Sequence, residues 1–475
     1  MPLSKLQFRP GVVRDITSYS NEGGWYDIDN VRFQKGFPEK IGGWQKKSNQ
    51  SFLGTCRSLH PWVTLSRDQL LGVGTHLKFY VDEGGAFNDI TPLRSTTTAG
   101  DVTFSATDGS SELTVTDTNH GAVQNDFVTF SGATSLGGNI TADVLNQEYQ
   151  ITSVTDANTY TITARSAGTS ISDITEDGQL NPTEVDANSS DTSDGGSAVV
   201  GKYQVNTGLD LNVSGAGWGA GTWGRAGWGE PSDDAIVSNT LRMWSQDNFG
   251  EDLLINVRDG GIYYWDATNG LTSRAVNITD LAGSTSAPQV AKQIMVSDRD
   301  RHVIAFGCDP EGDPGNQDPL TIRFSDQESL TEWNTTATNT AGELRLGSGS
   351  EIVTAVEARQ QIVVFTDTTL YVMQFLGAPF TFGVSAISEN ITIAGPKAAV
   401  AVGDAVYWMG VSEFYVYDGA MRQLPCTVRD YIFDNMNPDQ QAKAVAGLNA
   451  EHSEVWWFYP RNSSDQLDHY VVYNY

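Results

Sequence analysis

The chain is poor in the residues that cross-link proteins, ligate metals and grip polyanions. Among its 475 residues there are three cysteines, Cys56, Cys308 and Cys426, odd in number and far apart. That pattern encodes neither a disulfide framework nor a CxxC metal knuckle, so reduced thiols are expected. The six histidines, His60, His76, His120, His302, His452 and His469, are scattered without an HExxH pair, which removes the usual basis for catalytic zinc. Lysine and arginine total 29 against 58 acidic residues, a formal charge of −29 that disfavours broad wrapping of nucleic acid. No apolar run approaches the roughly 20 residues of a membrane span, so no stable membrane insertion is expected. The opening "MPLSKLQFRPG" lacks the apolar centre of an export signal, and assembly in a cytoplasm is expected. No G-x-S-x-G elbow or P-loop occurs, "RLGSGSE" reads as a turn, and no cofactor is implied.

Glycine, by contrast, numbers 48 against 16 prolines, and Thr, Val, Tyr and Trp recur in short runs. This is the composition of many short strands joined by tight turns, an all-β chain. One phrase repeats: an apolar strand, a turn, then an aromatic strand ending in Asp or Gly. It is clearest in "LLGVGTHLKFYVDEGG", "LLINVRDGGIYYWDATNG", "QIVVFTDTTLYVMQFLG" and "AVYWMGVSEFYVYDG", with looser copies in "VIAFGCDP…LTIRFSDQESLTEW" and "EVWWFYP…DHYVVYNY". The second strands begin near Leu77, Ile262, Ile322, Leu370, Phe414 and Tyr470. The last four intervals, about 44 to 60 residues, sit close to the roughly 40 to 50 of known propeller blades. Since one blade cannot cover both of its faces, radial packing of hairpin blades into a β-propeller-like ring is predicted. A β-sandwich is the competing arrangement.

The gap between Leu77 and Ile262 exceeds one blade and predicts an insert. Residues 101–163 show at least five alternating strands, a small β-sandwich or barrel, within a stretch from Ser95 to Val200 that carries fifteen acids and Arg165 as its one base. The domain reading is therefore an arm with first strands over 1–50, a blade over 51–94, an inserted β-domain over 95–180, an acidic and Gly/Trp-rich linker over 181–230, and further blades over 231–475. In the linker, "GAGWGAGTWGRAGWG" spaces Trp218, Trp223 and Trp228 five apart, a period of neither helix nor strand. These tryptophans read as plugs for apolar pockets on a neighbouring blade or subunit; stacking on single strands and interfacial membrane probing are weaker readings, since Arg225 is the one cation nearby. The acidic loops around Asp309, Asp313 and Asp318, and around Asp186, Asp191 and Asp194, offer oxygen ligands but lack calcium-loop spacing.

The first fifty residues differ from the rest. Residues 1–67 carry ten Lys or Arg against five Asp or Glu, and the stretch "GWYDIDNVRFQKGFPEKIGGW" displays Trp25, Phe33, Phe37 and Trp44. Desolvated aromatics supply much of the energy of contacts, so these four are candidate interface residues.

The phrase "YSNEGGWYDIDNVRFQKGFPEKIGGW", together with "IRFSDQESLTEW", "LYVMQFLG" and "VSEFYVYDG", resembles the tail nozzle or hub proteins of short-tailed phages, also called tail tubular protein B or packaged-DNA stabilization proteins. The insert's "HGAVQNDFVTFSGAT" and "YQITSVTDANTYTIT" resemble β-modules of phage tail and fibre proteins. The resemblance implies a non-enzymatic virion protein, a homo-hexamer below the portal and adaptor. Such a ring forms the distal DNA conduit, passes the genome without specific binding and carries fibres or spikes. The chain stops at "VVYNY" within a strand, which implies either ring closure against an N-terminal blade or further residues beyond it. The alternative class is a carbohydrate-binding or glycoside-cleaving β-propeller, since abundant Asp and Glu could supply a carboxylate pair.

Overall fold

A computed structural model describes residues 8–166, 174–175, 178–181, 183–212, 241–377 and 379–475. Six antiparallel sheets succeed one another along the chain, at residues 56–89, 244–277, 293–345, 352–389, 399–423 and 445–474, and form blades 1 to 6 of a β-propeller. The first five are four-stranded meanders and the sixth has three strands. Each repeated phrase in the sequence is the second and third strand of one blade, so its six copies mark six blades. The turns explain the meander: in blade 1 the two-residue link between Glu83 and Ala86 is Gly84-Gly85, both at positive φ, as a type I′ hairpin requires.

Blades are glued face to face by apolar clusters. Trp62 and Phe79 of blade 1 meet Trp244 and Trp265 of blade 2. Leu254 and Ile262 of blade 2 meet Ile294 and Val303 of blade 3, and Ile304 and Phe324 of blade 3 meet Val364 and Phe382 of blade 4. A further cluster joins blades 4, 5 and 6 through Phe365, Trp408 and Trp457. Among the described residues no such cluster joins blade 6 back to blade 1, where the seam is polar. Arg57 pairs with Asp210, and Arg57 Nη2 also donates to Gln466 Oε1 at 2.9 Å. Gln466 Nε2 donates to Asp210 Oδ2 at 2.8 Å, and Asn212 exchanges hydrogen bonds with Gln440 at 2.9 Å.

The insert leaves between blades 1 and 2. Its sheet is eight-stranded and antiparallel, wrapped over one core of Phe104, Val115, Phe130, Tyr149, Ile162 and Tyr203. It extends beyond residue 180: Asp191–Asp194 and Val200–Gln204 are strands of the same sheet. The acidic composition hid them, because Asp191, Thr192 and Ser193 sit on an edge strand whose side chains face solvent. Val200–Gln204 pairs with Leu93–Thr96, so the insert's two ends lie side by side.

Candidate functional site

The N-terminal arm lies against blades 5 and 6. Val31–Gln34 and Phe37–Lys40 form a hairpin whose turn residues Lys35 and Gly36 both take positive φ. Ahead of it, Arg14 N–H donates to the Thr427 carbonyl at 2.8 Å, and the Arg14 guanidinium lies over the Tyr431 ring at 3.9 Å. Arg14 also pairs with Asp27 at 2.6 Å. Arg32 Nε sits 3.3 Å from Glu454, a carboxylate only 2% exposed that also accepts from Trp456 Nε1 at 3.0 Å. Two of the arm's cations, Arg14 and Arg32, are thus paired within the chain.

The four arm aromatics separate into two groups. Trp25 stands between Phe8 and Phe33, with ring centres 5.4 and 6.2 Å away. Trp44 touches Trp456 edge-on at 6.3 Å yet is 80% exposed, and Phe37 is 75% exposed. Between the arm and blades 5 and 6 lies a cavity of about 820 Å³, lined by Val12, Val31 and Phe33 on one side and by Tyr431, Tyr470 and Val472 on the other. It follows His469–Asn474, the outer strand of blade 6, which pairs only with Glu454–Tyr459 among the described residues. The closing "VVYNY" is therefore a third strand beside the arm and does not pair with blade 1.

The first strand of each blade surrounds the ring axis, and the two ends of that axis differ. Where these strands begin, Arg258 of blade 2, Lys292 of blade 3 and Lys397 just ahead of blade 5 converge on one small cavity. Where they end, carboxylates gather. Asp247 accepts from Val296 N–H at 2.8 Å, Glu357 accepts from Asp298 N–H at 3.2 Å, and His60 Nε2 lies 2.6 Å from Asn248 Oδ1. Burial, then Asp298, Asp247 and Asp300, push the Glu357 carboxyl up to about 7. No motif marks these residues; the one signal available to a sequence reader is their position at the ends of first strands.

Two further apolar patches are open. Blade 4 ends in strands of nine residues, Thr369–Gly377 and Thr381–Glu389; Phe375 and Leu376 of the first and Phe380 of the turn between them are exposed. On blade 1, Leu59, Val63 and Leu65 are exposed on and just past its first strand. The acidic loop of blade 3 uses its carboxylates internally. Buried Asp309 accepts from Gln289 and Gly315 N–H at 3.0 Å, and Asp318 pairs with Arg345 at 2.6 Å. Among the described residues no group of His, Cys, Asp or Glu could hold a metal ion. Trp218, Trp223 and Trp228 lie outside the described residues.

No protein-family model matches the chain, and no curated protein does. Solved structures do. A phage phi92 endosialidase matches at 10% identity over 89% of this chain and 55% of its own, with a TM-score of 0.21. The extracellular domain of a putative hybrid two-component system from B. thetaiotaomicron matches at 10% over 92% and 56%, TM-score 0.31. PorZ, a surface component of the type-IX secretion system of Porphyromonas gingivalis, matches at 8% over 90% and 48%, TM-score 0.32. The chain spans about half the length of these structures, and at such scores the likenesses decide nothing about its role.

Proposed function

We propose that the chain is a structural component of a short-tailed phage tail, of the nozzle or hub type that its sequence phrases resemble. The observation that carries an assembly role is the exposure of three separate apolar patches on a highly charged propeller: the arm at Phe37 and Trp44, the blade 4 hairpin at Leu376 and Phe380, and the blade 1 strand at Leu59 and Val63. Large apolar side chains left exposed close together are the kind of surface that contacts other chains. In this reading the patches meet copies of the same chain in a cyclic hexamer, the adaptor or portal-side ring, and fibre or spike proteins. The net charge of −29 suits a conduit, because basic walls would hold DNA through counterion release. The chain acts in the virion tail after assembly in the host cytoplasm, and it catalyses nothing. Imaging of the particle should show six copies around the DNA path; one or two copies per virion, or a place away from that path, would refute the reading.

A second reading has its own observation. Glu357, whose carboxyl is pushed up to about 7, lies beside Asp298, two carboxyl groups of the kind that glycoside cleavage uses. A glycan array probed with the full chain distinguishes the two: saturable binding abolished by Glu357→Ala favours a carbohydrate propeller over a conduit.

A further inference from the structure

At the end of the ring axis where the first strands begin, two cations from different blades line one small cavity. Arg258 sits in the turn after Asp252–Val257 of blade 2, and Lys397 lies two residues ahead of Ala399, the start of Ala399–Val402 of blade 5, three blades away around a six-bladed ring. Both line one cavity, with Lys292, Gln293 and Trp244 beside them, and no carboxylate lines it. We propose that this axial cavity is an oxyanion site that receives one carboxylate or phosphate group between Lys397 and Arg258. The inference is independent of the tail reading.

The charges around the cavity support this in sequence. Lys292 is already satisfied, at 3.0 Å from Asp259 and 2.7 Å from Glu351. Arg258 spends one N–H on the Val353 carbonyl at 2.9 Å. The Lys397 ammonium has neither a hydrogen bond nor an ion pair among the described residues. Burial first, and then Arg258, pull its proton affinity down to about 8, with Asp247 opposing. Asp247 is the carboxylate nearest in effect, but its oxygens are engaged by Val296 N–H at 2.8 Å and Asn248 N–H at 2.9 Å. Asp259 and Glu351 partly offset Arg258, but two partly desolvated cations brought to one cavity that no carboxylate lines repel each other, and one shared oxyanion relieves both.

Size narrows the ligand further. The cavity measures about 10 Å³, room for one water-sized atom. A single oxygen therefore enters while the rest of its group stays at the mouth, among the turns that link second to third strands. The ligand is then a terminal oxyanion on a molecule lying across that face, either a carboxylate or a phosphate ester.

Calorimetric titration of the full chain with inorganic phosphate, and separately with acetate, tests this at fixed ionic strength and constant chloride. Saturable binding of one equivalent is expected for at least one anion. The anion that binds identifies the class. Lys397→Met should weaken binding at least tenfold, and Lys397→Arg should retain it. Without ligand, Lys397→Met should melt at or above the parent temperature, since it removes a half-buried cation whose ammonium has no hydrogen-bonded partner among the described residues. Binding of neither anion, equal binding by Lys397→Met, or a Lys397→Met variant that melts well below the parent would each overturn the proposal. The last result would mean that the ammonium has a structural partner.

Discussion

Glu357 shows how a side chain can be ordinary in sequence and unusual in place. It is the sixth residue of Ile352–Ala358, a strand whose other residues are apolar or small apart from Thr354, and nothing local separates it from any solvated glutamate. The fold brings Asp298 and Asp247 beside it from blades 3 and 2, so losing its proton means adding charge to a crowded site. Its folded proton affinity therefore lies above the unfolded value. The stabilising contribution is complete below the unfolded pKa of 4.5 and is lost as pH rises through about 7. Glu357→Gln should consequently be more stable than the parent at pH 8, by about 1 to 2 kcal/mol after allowance for solvent screening. The difference should vanish near pH 4.5, and urea unfolding at the two pH values measures it. Equal stability at pH 8 would mean that the carboxylates are better solvated than their positions indicate.

At the scale of elements, the insert is a separable unit. Thr96 pairs with Lys202 and Ser95 with Tyr203, so the chain enters and leaves through two hydrogen-bonded neighbours. Its core shares no member with the propeller clusters. Links do cross the boundary: Phe127 of the insert is buried with Leu53 and Leu77 beside blade 1, and Glu148 of the insert contacts Lys78 of blade 1, which also holds Asp89 at 2.6 Å. Arg274 of blade 2 reaches Asp89 at 2.8 Å and Glu148 at 3.4 Å. Burial alone would raise the Asp89 pKa, but Lys78 and Arg274 hold it at about 2. Replacing residues 97–201 by a short Gly-Ser turn should leave a folded propeller, because Lys78 keeps Asp89 as its partner. The expected cost is about 3 to 6 kcal/mol, the scale of a lost charge-assisted hydrogen bond together with exposure of Leu53 and Leu77, which Phe127 covers. Circular dichroism and a single cooperative melt check it, and loss of the near-ultraviolet tryptophan signal would show that the insert and ring fold as one.

For the whole molecule the decisive feature is the seam. Most blade contacts are apolar and self-healing, whereas blades 6 and 1 meet through Arg57, Asp210 and Gln466, with Trp44 and Phe52 laid over blades 6 and 1. Burial would raise the Asp210 pKa, but Arg57 outweighs it and holds it below the usual carboxylate value. Its contribution is thus present above the unfolded value of 3.8 and fades as pH falls through the lower folded one. Breaking a fully buried pair costs roughly 3–5 kcal/mol; Asp210 is partly exposed, so Asp210→Asn should cost less, about 2 kcal/mol at neutral pH. The loss should be local. Hydrogen exchange should speed up in Cys56–Val63 and Glu454–Tyr459 while Ile352–Ala358 keeps its protection, and uniform acceleration around the ring would contradict a polar seam.

The blades were legible in the sequence because their determinants are local. Alternation of apolar and aromatic residues needs only a strand's period of two, and Gly84-Gly85 or Lys35-Gly36 imposes its turn without reference to the rest of the chain. The insert's first strands showed for the same reason, while Asp191–Asp194 was hidden by side chains suited to a solvent-facing edge. Tertiary structure alone decided which end of the axis is cationic, because Arg258, Lys292 and Lys397 belong to three blades. It also placed the arm, whose Arg32 finds Glu454 of blade 6 while Arg14 pairs with Asp27 inside the arm. Charge at a site depends on distance and burial, and neither is written in spacing along a chain whose ends of strands meet only when six sheets close into a ring.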